Sequence, residues 1–131
     1  MLTVHTDPAA FRPAECLEIL DLIRSVPRQD AGLVRQQRDH NIRCADLVWL
    51  DDVPGAEWVM GRIIDVVRRA NGDIFGFDLN AFEESPQVAS YHAAREGHFD
   101  WHSDIGDGRL AARRKLTMVV QLSDDTTYCG G

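Results

Sequence analysis

The hydrophobic repeat of this chain changes period once, around Asn71 and Gly72, and that change constrains the fold more than any other feature. Before it, apolar residues recur about every 3.6 positions, as on one face of a helix; after it they alternate, as in a strand with one buried side. Cys16, Leu17, Leu20, Ile23 and Val26 form a first helical stripe, with Glu15, Glu18, Asp21 and Arg24 outside it. Pro13 suits the first helical position, where no amide hydrogen is required, and Pro27 ends the pattern. This predicts a helix over 13–26. Val59, Ile63, Val66, Val67 and Ala70 predict a second over 56–70, with Asn71 and Gly72 as its stop, because both tolerate the left-handed C-cap conformation. Between them, residues 33–50 read as extended or stranded, turning apolar over 45–50, and 51–55 as a turn and helix entry.

Past the change, Phe75, Phe77 and Leu79 alternate with Gly76 and Asp78, which predicts a half-buried strand. Val88, Ala89, Ser90 and Tyr91 predict a second strand, 97–102 a third, and 116–122 the clearest, bounded by charge on both sides. Helices first and antiparallel-type strands afterwards predict an α+β domain in which helices brace a sheet.

Charge narrows the function classes. The 131 residues carry 14 Lys+Arg against 21 Asp+Glu, a net charge of −7, which opposes a nucleic-acid surface, since phosphate binding needs basic residues. The dense basic cluster, Arg109, Arg113, Arg114 and Lys115, follows Gly106, Asp107 and Gly108; it reads as a lid or as a solvated loop. Cys16, Cys44 and Cys129 are an odd count without CxxC spacing, so no disulfide framework or zinc ribbon is expected. There is no apolar run of the ~20 residues that a membrane span requires and no signal-peptide pattern at the N-terminus. The expectation is a single domain over 1–131, soluble, reduced and cytoplasmic, without nucleic-acid or membrane partners.

The chemistry concentrates at Trp101, His102, Ser103 and Asp104. On a strand, His102 and Asp104 share a face, and an imidazole and a carboxylate so placed are two arms of a facial triad on Fe(II). A distant second His would complete it. Taken alone, the same tripeptide also fits a solvent-facing polar strand end. Trp49 and Trp101 read as packing residues, and Asp51, Asp52, Asp124 and Asp125 as turn residues.

In order along the chain, Asn41-Ile42-Arg43 leading to Trp49-Leu50, then Phe75-Gly76-Phe77-Asp78-Leu79, Tyr91, Gly97, Trp101-His102-Ser103-Asp104, the run from Arg114 to Ser123, and Tyr128-Cys129-Gly130-Gly131 resemble the iron(II)/2-oxoglutarate-dependent oxygenases. The likeness is to the prolyl-hydroxylase-like branch that includes bacterial PKHD-type hydroxylases. The resemblance implies a double-stranded β-helix, or jelly-roll, barrel backed by the N-terminal helices. It implies His102 and Asp104 as Fe(II) ligands, Tyr91 pointing a phenol toward the 2-oxoglutarate cosubstrate, and Thr117 near that cosubstrate on the next strand. Phe99 stands where many relatives carry a cosubstrate-binding tyrosine. In the family a distal ligand His and a carboxylate-pairing Arg follow the Gly-Gly turn; here the sequence stops at Gly131. The expectation is therefore a partial barrel with open sheet edges that favour self-association. None of His5, His40, His92 and His98 occupies the matching place; His98, at even spacing from His102, reads as a partly exposed surface histidine or as a third ligand sharing that face. The implied activity is hydroxylation of an amino-acid, peptidyl or small-molecule substrate with O2. A non-catalytic jelly-roll binding module and an interaction fragment pairing through its edges are the alternatives.

Overall fold

Two helices lean on one face of a small antiparallel sheet, and the apolar stripes explain why. The computed structural model describes residues 3–30, 43–105 and 108–129. The expectations for 33–42, His40, the Asn41-Ile42 motif, Gly106, Asp107 and the Gly130-Gly131 turn lie outside the described residues.

Helix α1 spans Pro13–Ile23, with Pro13 at its first turn as expected, and stops short of residue 26. The amide of Arg12, just ahead of it, donates to Glu15 Oε1 at 3.0 Å, half of a capping box. Two residues change sides relative to the expected stripe. Glu15 is buried and Leu17 is 66% exposed, while Ile19 and Ile23 fill the core. At 100° per residue the docked stripe centres on Ile19 and Ile23, which places Leu17 on the far side. Helix α2 spans Glu57–Ala70 and buries Val59 and Val66, as its stripe predicts. Glu57 in its first turn and Arg68 and Arg69 in its last complement the helix dipole.

The stop of α2 differs from expectation. The chain runs on through a wider turn, Asn71–Phe75, closed by the Gly76 amide on the Asn71 carbonyl at 2.7 Å. Gly76, at φ 69°, is the left-handed residue that ends it. Phe75, Phe77 and Leu79 consequently form no strand. The Asn71 side chain takes both backbone groups of Phe77, accepting its amide at 2.9 Å and donating to its carbonyl at 2.8 Å. Those are the groups a neighbouring strand would have bonded.

Strands β1 (Gln29–Asp30), β3 (Asp46–Trp49) and β4 (Gln87–Ser90) form an antiparallel sheet in the order β1-β3-β4. Strand β2 (Arg43–Cys44) pairs antiparallel with β5 (His98–Phe99) in a second ladder. The register sets Val48 opposite Val88 and Leu47 opposite Ala89. Val48 and Val88 join Phe11, Ile19, Ile23, Val59 and other residues in the helix-packed core, while Ala45, Leu47 and Ala89 form a separate cluster. Alternation thus gives the sheet two differently covered faces.

Two expected strands are corrected. The 97–102 strand is confined to His98–Phe99. The run 116–122 belongs to neither ladder, although its period holds: Leu116, Met118, Val120 and Leu122 are half-buried, and Thr117, Val119 and Gln121 are exposed. Met118, Val120 and Leu122 pack against the helix-lined core. A period of two decides which side chains turn inward; it does not decide which backbone receives the hydrogen bonds. The architecture of the described residues is mixed α+β, with a small open sheet.

Candidate functional site

The segment after β5 bends at Trp101 and at Asp104 instead of continuing as a strand, and it brings His102 and Asp104 together. His102 Nδ1 lies 2.6 Å from the Asp100 carbonyl oxygen, which accepts its hydrogen when Nδ1 is protonated. His102 Nε2 lies 3.1 Å from Asp104 Oδ1, close enough to donate to it when that nitrogen carries a proton. Phe99 lies flat against the imidazole, ring centroids 3.6 Å apart and planes within 8°. Phe99 therefore packs the histidine ring. Both His102 and Asp104 remain open to solvent, at 35% and 46% side-chain exposure.

Arg114 closes the site from behind. Its guanidinium grips Glu84 through two parallel bonds, Nε to Oε2 at 2.6 Å and Nη2 to Oε1, and sends Nη1 to the Asp104 carbonyl at 2.7 Å. The Glu84 hydrogen bond holds Arg114 above the ordinary arginine range, with its desolvation pulling the other way. Arg113 reaches Glu83 at 3.3 Å beside it. Part of the basic cluster is thus neutralised by an acidic pair thirty residues earlier. Sequence reasoning missed this pairing; the matched dipeptides Glu83-Glu84 and Arg113-Arg114 were its one visible signal.

Tyr91 sits just past the end of β4 and is 44% exposed. Thr117 is exposed on the outer side of its alternating run, opposite Met118 and Val120. His98 Nδ1 lies 2.7 Å from the Glu96 carbonyl. Among the described residues there is no cluster of three or more His, Cys, Asp or Glu side chains suited to a metal ion, so His102 and Asp104 stand as a pair. His92, which matches no ligand position, lies 3.4 Å from the Asp46 carboxylate, and the same carboxylate binds Arg95 at 2.6 Å. Trp101, expected to pack, is fully exposed beside His102, whereas Trp49 donates to Gln29 at 3.4 Å across β1 and β3.

No protein-family model, curated protein or solved structure matches this chain. The described residues form a mixed α+β fold carrying an exposed His–Asp pair. No helix among the described residues is long and apolar enough to cross a membrane.

Proposed function

We propose that this chain carries part of the metal centre of an iron(II)/2-oxoglutarate-dependent hydroxylase, with His102 and Asp104 as ligands on a jelly-roll scaffold. The observation that carries the reading is the His102–Asp104 geometry. An ion bonded at about 2.1 Å to each of two cis ligands near 90° sets the donors about 3 Å apart, and Nε2 and Oδ1 lie 3.1 Å apart. The Nδ1 contact with the Asp100 carbonyl fits the same role, because metal-binding imidazoles characteristically donate their other N–H to a carbonyl or carboxylate. Tyr91 and Thr117 are both exposed, which leaves the phenol and the hydroxyl accessible to a cosubstrate.

The donor set, one neutral imidazole and one carboxylate, suits a divalent first-row ion and fills two of the three triad positions. Iron bound there would couple oxidative decarboxylation of 2-oxoglutarate by O2 to hydroxylation of a C–H bond on an amino-acid, peptidyl or small-molecule substrate. The chain's own work is orientation: Asp100 and Phe99 fix the imidazole, and Arg114 holds the Asp104 peptide. With two protein donors the ion is held weakly.

Titration with Co(II), an air-stable surrogate, followed by calorimetry and visible absorption, tests the reading. Binding is expected in the wild type, lost in His102→Ala and retained in His92→Ala. Binding that survives His102→Ala would sink the metal assignment. The interaction-module reading draws on a different observation, the exposure of Trp101 and of Val119, the latter at 83%. Concentration-dependent sedimentation of a chain that ignores Co(II) would favour it.

A further inference from the structure

Arg114 touches both the Asp104 peptide and a segment distant in sequence, and all three nitrogens of its donor fork are engaged in doing so. Nε and Nη2 take the two oxygens of Glu84, and Nη1 takes the Asp104 carbonyl. The planar fork keeps these three directions rigidly related. A carboxylate anchored on one side thereby determines where the Asp104 backbone sits on the other, and hence where Oδ1 stands relative to His102 Nε2. The neighbouring Arg113–Glu83 pair joins the same two segments without bonding the His–Asp pair. That makes it an internal control.

We propose that Arg114, oriented by Glu84, is the positioning residue of the site, setting the Asp104 carboxylate at ligating distance from His102. The inference rests on the metal-centre reading for its consequence, while the positioning itself is testable without metal. Lysine keeps the charge but offers one ammonium in place of a fork, so it cannot serve both partners in the same geometry.

The experiment compares the wild type with Arg114→Lys, Glu84→Gln and Arg113→Gln. Backbone amide order parameters of residues 102–105 are measured by NMR on the metal-free proteins, and Co(II) affinity and its visible band are then measured by titration. Circular dichroism confirms folding, and Glu84→Gln stands in should Arg114→Lys not fold. Lower order at 102–105 in Arg114→Lys and Glu84→Gln is expected, with Co(II) affinity reduced about 10-fold or more and a displaced band. Arg113→Gln is expected to keep both readouts within about twofold of the wild type. Unchanged order in Arg114→Lys and Glu84→Gln would overturn the positioning role, as would an equal loss in Arg113→Gln. A wild type that ignores Co(II) yet loses order in Arg114→Lys would overturn the metal-centre reading and leave the clamp standing.

Discussion

Glu15 receives the Arg12 amide and is gripped by Arg62, whose Nη1 lies 2.7 Å from Oε1 and Nη2 2.6 Å from Oε2. Arg62 also reaches the Ala10 carbonyl and lies over the rings of Phe11 and Trp58, so one carboxylate ties the start of α1 to α2. The Arg62 hydrogen bond first, and the Arg12 amide second, hold its pKa down at about 2, against 4.5 ordinarily. Since the unfolded carboxyl protonates first on acidification, the stability Glu15 contributes is whole above pH 4.5 and lost as pH falls toward 2. Glu15→Gln should lower the melting temperature by several degrees at neutral pH and flatten its fall across that window. Calorimetry from pH 7 downward checks it; parallel curves for the two proteins would refute the role. Gly97 poses a steric demand instead: a Cβ there would stand 2.6 Å from the His92 nitrogen and 2.8 Å from the Tyr91 carbonyl carbon. Gly97→Ala should cost on the order of 1–3 kcal/mol and speed amide exchange in the β2–β5 ladder, both measurable by denaturant titration and hydrogen exchange.

Among the elements, α1 shows how a helical period fixes a face only to within a turn. Ile19→Ala removes a fully packed side chain and should cost about 2–5 kcal/mol, whereas Leu17→Ala, on the solvent side, should stay within about 0.5 kcal/mol of the wild type. Urea denaturation of the two variants separates the expected stripe from the observed one. In α2, Gly61 sits mid-helix, and a methyl group added there would meet no atom within 4 Å. Gly61→Ala should therefore stabilise by about 0.4–1 kcal/mol, since alanine has the higher helix propensity and a smaller unfolded-state entropy. The turn after α2 was not legible in its place: Asn71 and Gly72 suggested a C-cap, yet the Asn71 amide bonds Phe77 and the left-handed residue is Gly76. Either glycine would satisfy the local rule. Bonds formed six residues away chose between them.

For the molecule as a whole, ligand binding and stability are linked, because an ion held only by the folded chain favours that chain. Co(II) at about 100 times its Kd should raise stability by about 2.7 kcal/mol in the wild type and leave the melting temperature of His102→Ala unmoved. Scanning calorimetry with and without the ion reads this directly. Equal shifts in both proteins would place the ion elsewhere. The candidate site itself was half visible in advance. His102 and Asp104 were marked by type and spacing, yet the reason offered, a shared strand face, is not how they meet. Phe99 stacking and the Asp100 carbonyl hold the imidazole in a bent segment outside the strand.

By itself the sequence determined two amphipathic helices and an apolar extended stretch before α2, but not which of the alternating runs after it pair as strands. Those follow from repeats that act locally, where each side chain's burial depends on its own position in a period. What only the tertiary structure decided is which groups pair across the chain. Arg114 meets Glu84 and Asp104, Asp46 meets His92 and Arg95, and Glu15 goes inward because Arg62 lies above it. It also left 116–122 packed on the core outside either ladder. Pairings of this kind depend on distances between residues far apart in sequence, and no local period encodes them.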